Sequence, residues 1–170
     1  MICPTCNHDN LPGSSQCENC QHDLTQWDRP TARDRVEQSL MADTVRALEP
    51  RPPVTLPATA TVGEAIRTML ACDIGAVLIV NEKGQLAGIF SERDLLTKVA
   101  GTADYADAPV STYMSPRPET VRETDTLALV LHKLDSGGYR HLPVVKRGLP
   151  VGMISVRDVL RHITRLCKRG

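Results

Sequence analysis

One seven-residue stretch occurs twice in the chain, as Gly88-Ile-Phe-Ser-Glu-Arg-Asp94 and as Gly152-Met-Ile-Ser-Val-Arg-Asp158. The two copies lie 64 residues apart and keep Gly, Ser, Arg and Asp at the same positions. Upstream the match continues with a shift of 65 residues, which places Pro53 on Pro118. A self-match of this extent indicates an internal duplication and therefore two repeated structural units.

Each copy shows the same order of predicted elements. A helix comes first, with apolar residues at helical spacing: Val62, Ala65, Ile66, Met69 and Leu70 in the first copy, and Leu127, Val130, Leu131 and Leu134 in the second. Two short apolar strands follow, at 77–80 and 86–90 and again at 142–145 and 151–154. A second helix then carries Leu95, Leu96 and Val99, or Val159, Leu160 and Ile163. Since a unit of about 50 residues cannot bury both of its faces alone, we expect the copies to pack on each other.

This repeat resembles a tandem pair of cystathionine-beta-synthase (CBS) domains, known as a Bateman module. The resemblance rests on Gly-h-x-Ser-x-x-Asp in both copies (h, hydrophobic), on Tyr139-Arg-His-Leu-Pro-Val-Val145 and on Tyr113-Met-Ser-Pro116. It covers residues 51–165, about two thirds of the chain. It implies an α/β (α+β) fold in which two CBS repeats pack as a pseudo-two-fold module.

Four cysteines near the N-terminus predict a metal site. Cys3, Cys6, Cys17 and Cys20 form two C-x2-C pairs separated by ten residues. Four thiolates arranged in this way suit tetrahedral zinc, with iron as the alternative metal. Disulfides are not expected, because no secretion signal is recognised and we therefore expect a reducing cytoplasm. Four cysteines fill the coordination shell, so the zinc is predicted to be structural.

The same segment resembles the short zinc ribbons found at the N-terminus of many bacterial and archaeal proteins, with Leu24 after the second pair. A helix is expected after Pro30, where Val36 and Leu40 are spaced for packing. The predicted organisation is a zinc ribbon at 1–25, a helical linker at 26–50, CBS repeat 1 at 51–100, a connector at 101–116, CBS repeat 2 at 117–165 and a basic tail at 166–170.

The repeated Ser-x-x-Asp allows two interpretations. In the structural one, Ser91 and Ser155 cap helices, while Asp94 and Asp158 complement the helix dipole. In the functional one, the same strand-to-helix turns expose backbone N–H groups that bind an anion, and Arg93 or Arg157 neutralises it.

The resemblance to nucleotide-binding CBS pairs implies a role for each predicted site residue. The Asp holds ribose, the Ser faces phosphate, and main chain near Thr55 or Thr120 grips adenine with apolar neighbours. The second copy adds Arg140 and His141 for phosphate and Tyr139 and Pro143 for the base. The full predicted nucleotide-binding set is Thr55, Ser91, Arg93, Asp94, Thr120, Val121, Tyr139, Arg140, His141, Pro143, Ser155, Arg157 and Asp158. AMP, ADP, ATP and S-adenosylmethionine all fit this chemistry.

Composition restricts the class of function. Twenty basic and twenty acidic residues balance, and aromatic residues make up 3% of the chain, which disfavours a single-strand nucleic-acid binder. No apolar run is long enough for a membrane span, and no catalytic constellation is recognised. The predicted function is a non-enzymatic sensor whose CBS pair binds an adenosyl ligand and whose ribbon contacts an unknown protein partner. The resemblance to CBS pairs implies a homodimer. The alternatives are a nucleic-acid-linked regulator, an iron-loaded electron carrier and a scaffold without ligand.

Overall fold

The computed structural model describes residues 1–11, 13–25 and 34–168. Contacts divide the chain into two units, Met1–Asp34 and Arg35–Gly170. The expected start of the linker helix near Pro30 and the end of the basic tail at 169–170 lie outside the described residues. Every described helix is too short or too polar to span a bilayer.

The second unit contains the two predicted repeats, each with a sheet and flanking helices. The strands are β1 (Thr55–Pro57), β2 (Ala76–Val80), β3 (Leu86–Ser91), β4 (Ser115–Pro116), β5 (His141–Lys146) and β6 (Leu149–Ser155). The helices are α1 (Arg35–Ala42), α2 (Val62–Cys72), α3 (Glu92–Asp94), α4 (Leu127–Gly137) and α5 (Val156–Lys168). A π-helical turn, Leu95–Val99, continues α3. The predicted mixed α and β fold is confirmed.

The two sheets have the same construction. In the first, β1 runs parallel to β2, and β2, β3 and β4 are antiparallel, in the order β1-β2-β3-β4. In the second, β5 and β6 form the antiparallel pair, while single bridges join Val121 to Val144 in parallel and Arg51 to Met153 antiparallel. These bridges occupy the places that β1 and β4 hold in the first sheet.

The segment before each copy packs on the other copy. Val45 and Leu48 precede the first repeat, yet they belong to the core of the second, together with Leu142 and Ile154. Val110, which precedes the second repeat, is buried in the core of the first. Each core is therefore completed by the segment that precedes the other repeat in the sequence, and the two copies are interlocked.

Local capping explains where α2, the first helix of repeat 1, begins. Thr61 accepts a hydrogen bond from Glu64 N at 3.1 Å, and the Glu64 side chain accepts one from Thr61 N at 2.7 Å. Val62, Ala65 and Met69 are buried below α2. Leu70, predicted in the same stripe, is instead 77% exposed. Eight residues after Val62, it lies about 80° around the helix from that residue, at the margin of the buried face.

Candidate functional site

The two Ser-x-x-Asp segments form matching strand-to-helix turns. In the first copy, Asp94 Oδ2 accepts hydrogen bonds from Ser91 N at 3.0 Å and from Ser91 Oγ at 2.6 Å. In the second, Asp158 Oδ2 accepts the equivalent bonds from Ser155 at 2.8 and 2.6 Å. Both aspartates are buried, at 5% and 8% exposure. The helix-capping interpretation thus describes the local structure of both turns. The two turns differ in the contacts that they make with other segments of the chain.

A cleft of about 330 Å³ lies at the first of these turns. It is built from four segments of the chain, which meet because β4 pairs with β3 and because β5 begins beside the start of β2. The lining residues are Gly75, Ile89, Ser91, Glu92, Arg93, Asp94, Ser115, Pro116, Arg117, Pro118, Glu119, Tyr139, Arg140 and His141. The cleft has the volume of a small-molecule site, for which the usual range is about 300–1,000 Å³.

The cleft carries an excess of positive charge. Asp94 is paired with Lys98 at 2.6 Å, and Glu119 is paired with Lys133 at 2.6 Å. Within the described part of the chain, neither Arg117 nor Arg140 forms an ion pair, so their charges are available to a ligand. The arrangement favours an anion.

Arg93 joins the two repeats at the mouth of the cleft. Its Nη1 donates a 2.9 Å hydrogen bond to the carbonyl of Gly138, which ends α4 in the left-handed conformation. The bond leaves the other guanidinium donors for a ligand, since arginine carries five. Tyr139, the next residue, is 42% exposed and offers an aromatic face at the cleft.

His141 lies where charges from both turns converge. Burial lowers the pKa of His141, and this effect outweighs the attraction of Glu92 and Asp158, while Arg140 and Arg157 lower the pKa further. The imidazole is therefore neutral near pH 7. Because Glu92 follows the first Ser and Asp158 closes the second turn, the charges of both turns act on His141.

Six of the thirteen predicted nucleotide-binding residues line the cleft: Ser91, Arg93, Asp94, Tyr139, Arg140 and His141. The other seven, Thr55, Thr120, Val121, Pro143, Ser155, Arg157 and Asp158, do not. Pro143 and Val121 are buried within the second sheet, where Val121 N donates to the Pro143 carbonyl at 3.0 Å. Thr55 is exposed on β1.

Sequence reasoning missed Ser115, Arg117 and Glu119, which line the cleft, and Lys98 behind them. Ser115 stands in the Tyr-Met-Ser-Pro motif, but the pairing of Ser115 with Ile89 across β4 and β3 is a long-range contact that the motif does not reveal. Lys98 follows Asp94 at the i+4 helical spacing, which was the available signal for their ion pair.

The first unit contains the predicted cysteine cluster. The Sγ atoms of Cys3, Cys6, Cys17 and Cys20 all lie within 4.8 Å of one another, and the cysteines are free thiols. The Cys3–Cys20 and Cys6–Cys17 Sγ separations are 3.6 and 3.5 Å. A tetrahedral ion with bonds of about 2.3 Å to sulfur needs sulfur separations of about 3.8 Å, so the donor set fits such a metal.

Both cysteine pairs are closed by the same backbone turn. Cys3 N donates to the His8 carbonyl at 2.9 Å, and Cys17 N donates to the His22 carbonyl at 2.9 Å. The residue after each pair, Asn7 or Gln21, has a positive φ of 56° or 57°. Gln21 therefore adopts the left-handed conformation that Gly often supplies at this place in the ribbons that the segment resembles.

Asn10 links the two halves of the cluster. It is 4% exposed, its amide donates to the His8 carbonyl at 3.0 Å, and its Oδ1 accepts from Glu18 N at 2.9 Å. Burial opposes ionisation of Cys17, but hydrogen bonds from the backbone of Cys20 and Asn19 lower the pKa of this thiol to about 6. Thiolate is the form that binds metal.

Comparison with known proteins identifies the repeated unit. The CBS domain family model matches residues 45–101 and 110–165, more than half of the chain. A CBS domain-containing protein of Arabidopsis thaliana is 33% identical over 133 residues, and an uncharacterized 17.7 kDa protein of Acidianus ambivalens is 32% identical over 104 residues. These matches cover 75% and 61% of this chain, but only 24% of the Arabidopsis protein and 62% of the Acidianus protein.

Solved structures agree with this assignment. A CBS-domain-containing protein from Agrobacterium tumefaciens has a TM-score of 0.64 and 33% identity, over 69% of this chain and 95% of its own. A CBS domain protein from Pyrobaculum aerophilum, complexed with AMP, has a TM-score of 0.64 and 30% identity, over 72% of this chain and 98% of its own.

Proposed function

Because the chain belongs to the CBS-domain family, we propose that its CBS pair is a regulatory module that binds an adenosine-containing ligand. The observation that carries the proposal is the cleft in which the first Ser-x-x-Asp turn meets Tyr139, Arg140 and His141 of the other repeat. The AMP complex of the similar Pyrobaculum protein supports an adenylate as ligand. Binding energy that favours one packing of the two repeats would turn occupancy into a signal.

The charges favour a ligand that bears phosphate. Arg93, Arg117 and Arg140 surround the cleft, whereas two of its three acidic side chains already have cationic partners. Tyr139 supplies a surface for the adenine ring. AMP, ADP and ATP therefore fit better than S-adenosylmethionine, whose sulfonium would meet like charge.

The second turn is proposed as a second, equivalent site. Arg51 pairs with Met153 as Ser115 pairs with Ile89, which supports an approach of residues 51–55 to the second turn like that of 115–119 to the first. By the same symmetry, residues 74–76 would take the part that 139–141 take in the first cleft. Thr55 would then grip one base, and Thr120 with Val121 the other.

Titration calorimetry with AMP, ADP, ATP and S-adenosylmethionine tests the proposal. Arg140→Gln should weaken nucleotide binding at least about tenfold, as expected for the loss of a charge-assisted contact. Arg165→Gln is the matched control, because Arg165 is an exposed arginine far along α5. Absence of binding by all four compounds, in protein free of co-purified nucleotide, would overturn the proposal and favour a scaffold.

We also propose that the cysteine cluster holds structural zinc and that the ribbon contacts a protein partner. The support is the sulfur geometry for the first statement and the exposed Ile2 and Leu11 for the second. Nucleic acid is disfavoured, because residues 1–25 contain no Lys or Arg. Elemental analysis should give one zinc per chain in the wild type and none in Cys17→Ser. A red protein that contains iron would instead support the electron-carrier alternative.

A homodimer is proposed from an exposed residue that the duplication repeats. Leu96 and Leu160 occupy the same position in the second helices of the two copies, and they are 72% and 57% exposed. Two equivalent apolar side chains on a pseudo-two-fold module suit a symmetric partner surface, which a second copy supplies. Sedimentation velocity should give a dimer for the wild type and a monomer for Leu96→Glu/Leu160→Glu, and a monomeric wild type would refute the assignment.

A further inference from the structure

The end of α4 has the same backbone geometry as the end of α2 in the other copy. Gly138 and Asp73 both adopt the left-handed conformation, with φ of 58° and 50°. Tyr139 N and Ile74 N then each donate a 3.0 Å hydrogen bond to the carbonyl five residues earlier, which closes the same turn in both copies. Any difference between the two helix ends therefore arises from their side chains.

The side chains that follow these two turns lie in different surroundings. Ile74 is partly buried and packs against the core of the first repeat. Tyr139, at the same position of the duplication, is 42% exposed and lines the cleft. Two residues earlier the copies differ as well, because Cys72 in the first corresponds to Gly137 in the second. The copy that places an aromatic ring in the cleft is thus the copy that has no side chain two residues before it.

The Tyr139 ring occupies the space in which a side chain at position 137 would lie. A Cβ added to Gly137 would be 2.6 Å from Cζ of that ring and still closer to Cδ2 and Cε2. Carbon atoms in van der Waals contact lie about 3.5–4.0 Å apart, so a methyl group here would force the ring to move. Gly137 is the last residue of α4 and does not have a positive φ, so its backbone conformation alone would accept alanine.

Arg93 fixes this helix end relative to the first Ser-x-x-Asp turn. Its Nη1 donates a 2.9 Å hydrogen bond to the carbonyl of Gly138, the residue between the glycine and the tyrosine. Because Arg93 belongs to that turn, the place of the Tyr139 ring against α4 also determines its place in the cleft.

We propose that Gly137 is a positioning residue for recognition of the nucleotide base: its missing side chain lets the Tyr139 ring lie against the end of α4, where it forms the aromatic wall of the cleft. This inference rests on the proposed nucleotide binding and adds a residue to it. Contacts to phosphate come instead from the arginine side chains of the lining. A side chain at position 137 therefore weakens recognition of the base and leaves recognition of phosphate in place.

The test compares AMP with ribose 5-phosphate, which lacks the base, by ¹H–¹⁵N NMR titration of the full chain. The Arg93 and Glu119 amides belong to the lining and report binding in this cleft. The wild type should prefer AMP. Gly137→Ala should reduce that preference about fivefold or more, as expected when a base loses an aromatic stacking partner. The dissociation constant of ribose 5-phosphate should remain unchanged.

Tyr139→Ala shows whether Gly137 acts through the ring. It should lower the AMP preference to a similar extent, and Gly137→Ala should then have no further effect in the Tyr139→Ala background. Cys72→Ala, at the equivalent position of the other copy, is the matched control and should leave the preference unchanged. Alanine is a better helix former than glycine, so the urea midpoint of Gly137→Ala should not fall below that of the wild type.

An unchanged AMP preference in Gly137→Ala would overturn the inference, and so would an equal weakening of both ligands or an additive loss in the double variant. Equal affinities of the wild type for the two ligands would overturn it as well, because the cleft would then not recognise the base. A lower urea midpoint in Gly137→Ala would assign this glycine to folding instead. If neither ligand shifts the two amides, the proposed nucleotide cleft and this inference fail together.

Discussion

Ser39 in α1 and His162 in α5 are joined by a 2.8 Å contact between Oγ and Nε2, although 123 residues separate them. The Ser39 hydroxyl also donates to Asp43 Oδ2 at 2.5 Å, and His162 Nε2 lies 3.5 Å from the same oxygen. Ser39 is 7% exposed. The linker helix is thus attached to the helix that begins at the second Ser-x-x-Asp turn, which gives α1 a physical connection to that turn.

Ser39→Ala should loosen α1 without unfolding the repeats. A buried hydrogen bond of this kind contributes about 1–3 kcal/mol when its loss leaves the partner unsatisfied. Hydrogen exchange should accelerate in α1 and remain unchanged in β2 and β3. His132→Ala, at an exposed position on α4, is the control. Unchanged α1 protection in Ser39→Ala would mean that apolar packing around Leu40 holds the helix by itself.

Gly88→Ala should destabilise the first repeat because Met114 occupies the space of a side chain. A Cβ at Gly88 would lie 2.3 Å from Met114 Sδ, within β3 where β4 covers it. Overpacking of this kind costs about 1–3 kcal/mol. Urea denaturation of a double-mutant cycle measures the coupling, and Gly88→Ala should cost much less in a Met114→Ala background. Equal costs in the two backgrounds would show that the clash is not the reason for this glycine.

The motif glycine illustrates what the sequence could and could not reveal. Its repetition at Gly88 and Gly152 predicted duplicated strands, and helical periodicity placed α2 and α4. The reason for the glycine was hidden, because Met114 and Pro50 reach it from segments that lie outside the local repeat pattern. Short-range sequence patterns predict the helices and strands. That Val45 packs in the core of the second repeat and Val110 in the core of the first depends on long-range packing.

The candidate cleft was predictable only in part for the same reason. Ser91 and Asp94 were visible as a motif, and Arg140 and His141 were visible in the family resemblance. The contacts of Asp94 with Lys98 and Ser115 reach four residues along a helix and across a strand pair, so the motif alone does not reveal them.

His141 should make the stability of the CBS pair depend on pH. Burial holds the folded-state pKa of His141 below its ordinary value of 6.5, so the unfolded chain binds the proton first as the pH falls. Folding free energy is then lost below pH 6.5, until the pH reaches the lowered folded pKa, and it is fully present above 6.5. Urea midpoints at pH 7.5 and 5.5 should differ more for the wild type than for His141→Asn. Parallel pH profiles of the two proteins would contradict this assignment.

Removal of the metal should unfold the ribbon and leave the CBS pair intact. The buried apolar core of the first unit consists of Cys3, Cys17 and Leu24 among the described residues, too little to stabilise a fold by itself. Metal binding must therefore supply the folding free energy.

A chelator should collapse the dispersed amide signals of Asn10 and Leu24 while signals from β2 and β5 persist, and Cys17→Ser should do the same without chelator. Cys72→Ser, at an exposed cysteine in α2, should change nothing. A ribbon that keeps its dispersed signals after the metal is removed would show that the Asn10 hydrogen bonds suffice, and the cysteine cluster would then be dispensable for folding.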